Sequence, residues 1–308
     1  MYNEAEAVQF FKAYNQAIVD HFERITADID PRTFDDPDFY TQIRHSTLNA
    51  MQDWHQEPLD VLSGKTPDEY IDTLEGKDEL LAFTALAARH CDEELPDMLK
   101  IKLGQNAPLL QEGLREMALS VAYEAAETTE QILEAAMAIK LLGEWQDTSF
   151  IESFISRFTA VDEPQELITD AGQYFFSQLG QTALDRILEL LIEFHKGEAR
   201  YTSSYEYLLV FITQLGQTHR GTDIYPLLRT AFRKSKRKVI AAICIGDYGD
   251  ARGVVLLRNY IIEYEKDLDR QLYYESLSSI KRLGGDTKDL PDPFRDFSGG
   301  GPTGGPVY

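Results

Sequence analysis

The chain has 308 residues and a mass of 35.1 kDa, enough for one elongated domain or two smaller ones around a sizeable core. With 43% hydrophobic and 27% charged residues, its composition is neither collagen-like nor wholly disordered, and no stretch is apolar for long enough to predict a membrane span. Acids outnumber bases 52 to 30, a net charge of −22, which disfavours a general binder of nucleic acid or of anionic membranes.

The first residues, MYNEAEAVQF, are polar and helix-prone, without a basic n-region or an apolar h-region, so a soluble, cytoplasmic protein is expected. Pro31, Pro37 and Pro58 punctuate the first seventy residues into separate helices, and Thr66-Pro67-Asp68-Glu69 spells a capping box with proline at the first helical position. Residues 1–75 are read as an N-terminal helical cap. Gly64-Lys65-Thr66 looks like the end of a phosphate loop, but Leu59 stands where that loop needs its first glycine. Trp54 with His45 and His55 is read as packing between this cap and the first repeat. His90-Cys91-Asp92-Glu93-Glu94 gathers metal-capable side chains, yet neighbours on a helix diverge by about 100° and cannot share one ion. No Glu-x-x-His, His-Glu-x-x-His or Gly-x-Ser-x-Gly motif is present, and neither a metal nor an organic cofactor is expected. Cys91 and Cys244 are too few for a disulfide framework or a structural zinc site, and both fall in apolar registers that predict burial.

A period emerges further along. Leu142-Gly143, Leu179-Gly180, Leu215-Gly216, Ile245-Gly246 and Leu283-Gly284 recur at steps of 37, 36, 30 and 38 residues. Four residues before each glycine lie Ile139, Phe176, Ile212, Ala242 and Ile280. Eight residues after come Ile151, Leu188, Ile224 and Val254, and eleven after come Phe154, Leu191, Leu227 and Leu257. Six residues after the glycine, Ser149, Arg186, Thr222 and Arg252 are polar, as are Ser156, Glu193, Arg229 and Asn259 thirteen after. These offsets describe two amphipathic helices per unit, joined at a glycine suited to a C-cap. His195 falls where the other units place Phe158, Ala231 and Ile261, and is read as an imidazole at the edge of the core. A single hairpin of this size cannot bury its own apolar faces, so neighbours must stack. The predicted fold is all-α: an α-α superhelix over residues 76–290, clearest from 130 to 285 and less regular over 78–128.

The unit Ala241-Ala242-Ile243-Cys244-Ile245-Gly246-Asp247-Tyr248-Gly249-Asp250 resembles the HEAT-repeat family, in particular the short A-x-x-x-[LI]-G-x-x-x-D type shared with phycocyanobilin-lyase-like HEAT proteins. Asp147 matches Asp250 in register, whereas Leu184 and Arg220 depart from the pattern. The resemblance implies an α-solenoid that serves as a binding scaffold and implies no activity. The Gly246–Gly253 stretch has GxxGxxxG spacing with two aspartates, which does not suit a dinucleotide.

Charge is uneven. Residues 1–150 hold 30 acids and 11 bases, whereas residues 220–260 hold nine bases and three acids. Arg229, Arg233, Lys234, Lys236, Arg237 and Lys238 form a basic seam between two helices, and regular stacking would add Arg186 and Arg252 from polar rows nearby. The plain reading of such a run is a solvated ridge at a helix C-terminus. The functional expectation is a non-catalytic scaffold or adaptor that binds a protein through its solenoid surface, with this seam facing an acidic partner, including the acidic half of a second copy. Two alternatives stand beside it: nucleic-acid binding at 229–238, and an acidic immunity-type or decoy inhibitor using the 1–150 half. Residues 291–308, rich in glycine and proline, are read as a disordered tail.

Overall fold

The computed structural model describes residues 3–27, 29, 33, 37–91, 94–124, 129–196 and 201–295, and among them it contains fifteen α-helices and no β-strand. None of these helices is long and apolar enough to cross a membrane. Helices pack on their near neighbours in sequence, the solenoid-like all-α arrangement that the periodicity predicts. The chain divides into two units. The first comprises residues 1–153 with 166–175, and the second residues 154–165 with 176–308.

In the first unit, α1 (Glu4–Thr26) packs against α2 (Pro37–Trp54) and α4 (Lys77–His90). The boundary expected near residue 75 therefore lies inside this unit. Phe10, Phe11, Trp54, Tyr70 and Phe83 pack in tilted and edge-to-face contacts at centroid separations of 5.0–6.1 Å, and all five are buried. His55 is buried beside Trp54, whereas His45 is exposed. The capping box forms as read: Thr66 Oγ1 accepts from the Glu69 N–H, and Glu69 accepts from the Thr66 N–H, opening α3 (Pro67–Asp72). Next come α5 (Asp97–Gln105), α6 (Ala107–Leu119) and α7 (Thr129–Glu144), with α4, α6 and α7 packed on one another. A buried carboxylate caps the turn that leads from α7 into the next helix. Asp147 accepts from the Ser149 N–H and, with only 4% of its side chain exposed, is gripped by Arg115 of α6 at 2.7 Å.

The division between units runs through α8 (Ile151–Thr159) and α9 (Glu166–Leu179). The second unit continues with α10 (Gln181–Lys196), α11 (Ser203–Thr218), α12 (Tyr225–Lys234), α13 (Val239–Tyr248), α14 (Arg252–Glu263) and α15 (Arg270–Arg282). Here α11 packs on α13 and α13 on α15, while α10 packs on α12, and Phe232 of α12 meets Tyr260 of α14 edge to face at 5.0 Å. The apolar register holds at most positions: Leu142, Leu179, Leu215, Ile139, Phe176, Ile212, Ala242 and Ile280 are all buried, whereas Leu188, Val254 and Leu283 are half-buried.

The glycines do a different job from the one expected. Gly180 does end α9 with φ +55°, and Gly284 follows α15 with φ +79°. Gly143, Gly216 and Gly246 instead lie inside α7, α11 and α13. A β-carbon on them would meet the Phe175 Cα at 2.9 Å, the Ile224 Cδ1 at 2.8 Å and the Ser279 Cα at 2.9 Å respectively. They are smooth spots where a neighbouring element approaches the helix closely.

Two further expectations are corrected. Cys244 is buried, but Cys91, at the end of α4, is half-buried because the helix stops there. The tail reading fails for residues 291–295: Tyr273 donates to the Pro291 carbonyl, and Phe294 packs on Tyr273 and Tyr274 under the Arg270 guanidinium. An aromatic residue with partners to cover it stays docked whatever the glycine content nearby. The rest of that segment, 296–308, lies outside the described residues.

Candidate functional site

The basic seam runs along α12 and the connection to α13, and its six cations together with Arg186 of α10 and Arg252 of α14 divide into two groups. Five have partners within the chain. Lys238 donates to the carbonyls of Phe232, Arg233 and Ser235 at 2.6–3.2 Å, closing the open end of α12, and sits over the Phe232 and Tyr260 rings. Burial there lowers its pKa. Arg237 lies 3.5 Å from Glu206, whose carboxyl is raised by burial and partly relieved by that charge. Arg186 pairs with Glu189 one turn along α10. Arg252 is the most committed: it grips Asp250 and Asp223, and its guanidinium lies 4.4 Å over the Tyr225 ring. Those hydrogen bonds raise its pKa further and hold the Asp250 carboxyl below its usual range. Asp250 also accepts from the Arg252 N–H, the same cap that Asp147 forms with Ser149 in the first unit. Lys234 spends one N–H on the His195 carbonyl and stays exposed.

Arg229, Arg233 and Lys236 are different. All three are exposed, and among the described residues none has an ion pair or hydrogen-bond partner. Arg229 and Arg233 lie one turn apart on α12, and both act on Tyr225, whose pKa is raised chiefly by burial and lowered by these charges. Of the arginines, Arg252 lies over that phenol, and Arg186 pairs with Glu189 on its own helix. The register that predicts exposure at Arg229 holds in every unit: Ser156, Glu193 and Asn259 are exposed as well.

A groove of about 350 Å³ opens between α10 and α12. Sequence reasoning missed it. The signal available was Leu188, which occupies the same register as the buried Ile224 but is followed four residues later by Ile192, 43% exposed. At one end of the groove, His195 is buried and its Nε2 meets the Tyr205 hydroxyl. Burial, and then the charge of Lys234, lower its pKa to about 4, so it is neutral at physiological pH.

In the first unit, Arg44, Glu94, Lys100, Glu144 and Tyr174 line a pocket of about 320 Å³. Arg44 and Lys100 both pair with Glu94, at 2.8 and 2.9 Å, and Tyr174 donates to Glu144. The charges there answer one another. Among the described residues, no three His, Cys, Asp or Glu side chains converge as a metal site would require. No protein-family model, no curated protein and no solved structure matches this chain.

Proposed function

We propose that this protein is a HEAT-like helical scaffold without chemistry of its own, which binds an acidic partner protein along the α12 edge through Arg229, Arg233 and Lys236. One observation carries this reading. In a chain of net charge −22, three exposed cations on α12 and the connection after it have no ion pair or hydrogen-bond partner among the described residues, although nearby Arg237 and Arg252 are paired. An unpaired guanidinium pair on a helix face is suited to carboxylates, which it can engage in bidentate fashion. Long-range steering by such an edge gives fast, salt-sensitive association.

The test is a comparison of the wild-type chain with the combined variant Arg229→Glu, Arg233→Glu, Lys236→Glu. All three side chains are exposed, so helicity and melting should be nearly unchanged. Cross-linking in the native host should recover acidic proteins with the wild type and lose them with the variant. Recovery of the same proteins by the folded variant would show the edge to be a solvated ridge. A nucleic-acid gel shift with a steep salt slope, abolished in the variant, would move the assignment to phosphate binding.

A further inference from the structure

The groove between α10 and α12 is built from both helices, which run side by side in the same direction. Gln181 at the start of α10 donates to the Thr222 hydroxyl just before α12, and Lys234 at the end of α12 donates to the His195 carbonyl at the end of α10. The walls are apolar: Leu188 and Ile192 come from α10, Pro226 and Leu227 from α12. Ile192 is 43% exposed and Pro226 is exposed, so this apolar surface faces water. A volume of about 350 Å³ is at the small end for ligand pockets and takes one or two side chains, not a folded face.

Charge gives the groove a direction. Asp223 lines one end, where both its carboxylate oxygens accept from Arg252 at 2.8 and 2.9 Å, a guanidinium it shares with Asp250, so its negative charge is only partly offset. Lys196 and Lys234 line the other end. The carboxyl ends of two helices meet there, each worth about half a negative charge, so two lysines leave that end positive. Lys196 does touch Glu193, but that pair is about two-thirds exposed on both sides and competes weakly with an incoming carboxylate. Lys234 uses only one of its three N–H donors on His195.

We infer that this groove is a peptide-docking site whose occupant is a short acidic segment of a partner protein, with an aliphatic side chain seated on Leu188 and Ile192 and an Asp or Glu reaching Lys196 and Lys234. The inference deepens the scaffold reading and rests on it, since Arg229 and Arg233 border the same helix and would meet further acids of the same segment. It specifies what the edge alone does not: an apolar anchor at a fixed place beside the charge.

Random twelve-residue peptides displayed on phage and selected on the full-length chain test it. Enriched sequences should carry an aliphatic residue adjacent to Asp or Glu. A fluorescent synthetic copy of the best one should lose about tenfold or more in affinity on Ile192→Glu, and weaken as salt rises. If Ile192→Glu disturbs the fold, Ile192→Ser keeps the test. Selection of no peptide, of peptides without acids, or of peptides indifferent to both Ile192 variants overturns the groove. The combined Arg229, Arg233, Lys236 variant separates the two readings. Binding lost with Ile192→Glu but kept in that variant retains the groove and discards the edge, and the reverse result retains the edge and discards the groove.

Discussion

Gly246 of α13 lies so close to Ser279 of α15 that an added β-carbon would stand 2.7 Å from the serine Cβ and 2.9 Å from its Cα. The serine hydroxyl is itself fixed, donating to the Ala242 carbonyl of α13 at 2.9 Å. Backbone and a tethered side chain cannot give way as a flexible methyl would. Gly246→Ala is therefore expected to destabilise by about 1–3 kcal/mol through overpacking. Gly104→Ala, at an exposed position of α5 where an added β-carbon meets nothing, should instead stabilise by roughly 0.5–1 kcal/mol, as helix propensity dictates. Urea denaturation of the two variants gives both signs in one experiment.

Leu142 is fully buried and sits in the repeated apolar register. Leu142→Ala should cost about 2–5 kcal/mol, the loss depending on how far the surrounding helices collapse into the space. A loss under about 1 kcal/mol in thermal or urea unfolding would show this register to be loosely packed.

Asp147 joins a helix cap to a shielded ion pair with Arg115. Asp147→Ala should cost roughly 1–3 kcal/mol, because it removes the cap and leaves the arginine half-desolvated. Glu189→Ala, which breaks the exposed pair with Arg186, should change stability by less than about 0.5 kcal/mol. Similar losses in the two variants would mean that burial at Asp147 does not strengthen its pair.

His195 makes the fold acid-sensitive in a defined window. Its folded pKa is lowered to about 4, against a model-peptide value of 6.5, so between these the unfolded chain binds more protons. Stability from this residue is complete above pH 6.5 and falls as the pH drops toward 4, by up to about 3 kcal/mol. His55, also lowered by burial, acts in the same direction. His195→Gln should lose less stability than the wild type between pH 7 and pH 4.5, as urea midpoints would show. Equal losses would place the acid sensitivity elsewhere.

Helix content and the buried register were legible in the sequence because both follow from spacing along one chain. Leu179 or Phe176 needs only its own helix to declare which way it faces. The role of Gly143, Gly216 and Gly246 was not legible, because a C-cap and a close approach call for the same small residue, and only the neighbouring helix separates them. The seam shows the same division. Six cations in ten residues are visible in sequence, but Lys238 turning back onto three carbonyls, or Arg237 finding Glu206 thirty-one positions away, depends on contacts between turns and helices. Ile192 escaped notice because one exposed aliphatic residue means little until a second helix lies beside it.

The two thiols make the second unit separately observable. Cys91 belongs to the first unit and is half-buried, whereas Cys244 lies inside α13 of the second unit, its thiol pushed up to about 12 by burial. An alkylating reagent needs the thiolate, so it should modify Cys91 in the folded protein and leave Cys244 untouched until α13 opens. Once Cys91 has been blocked, the rate at which label enters Cys244 becomes a clock for the opening of that helix, read by mass without any engineered probe.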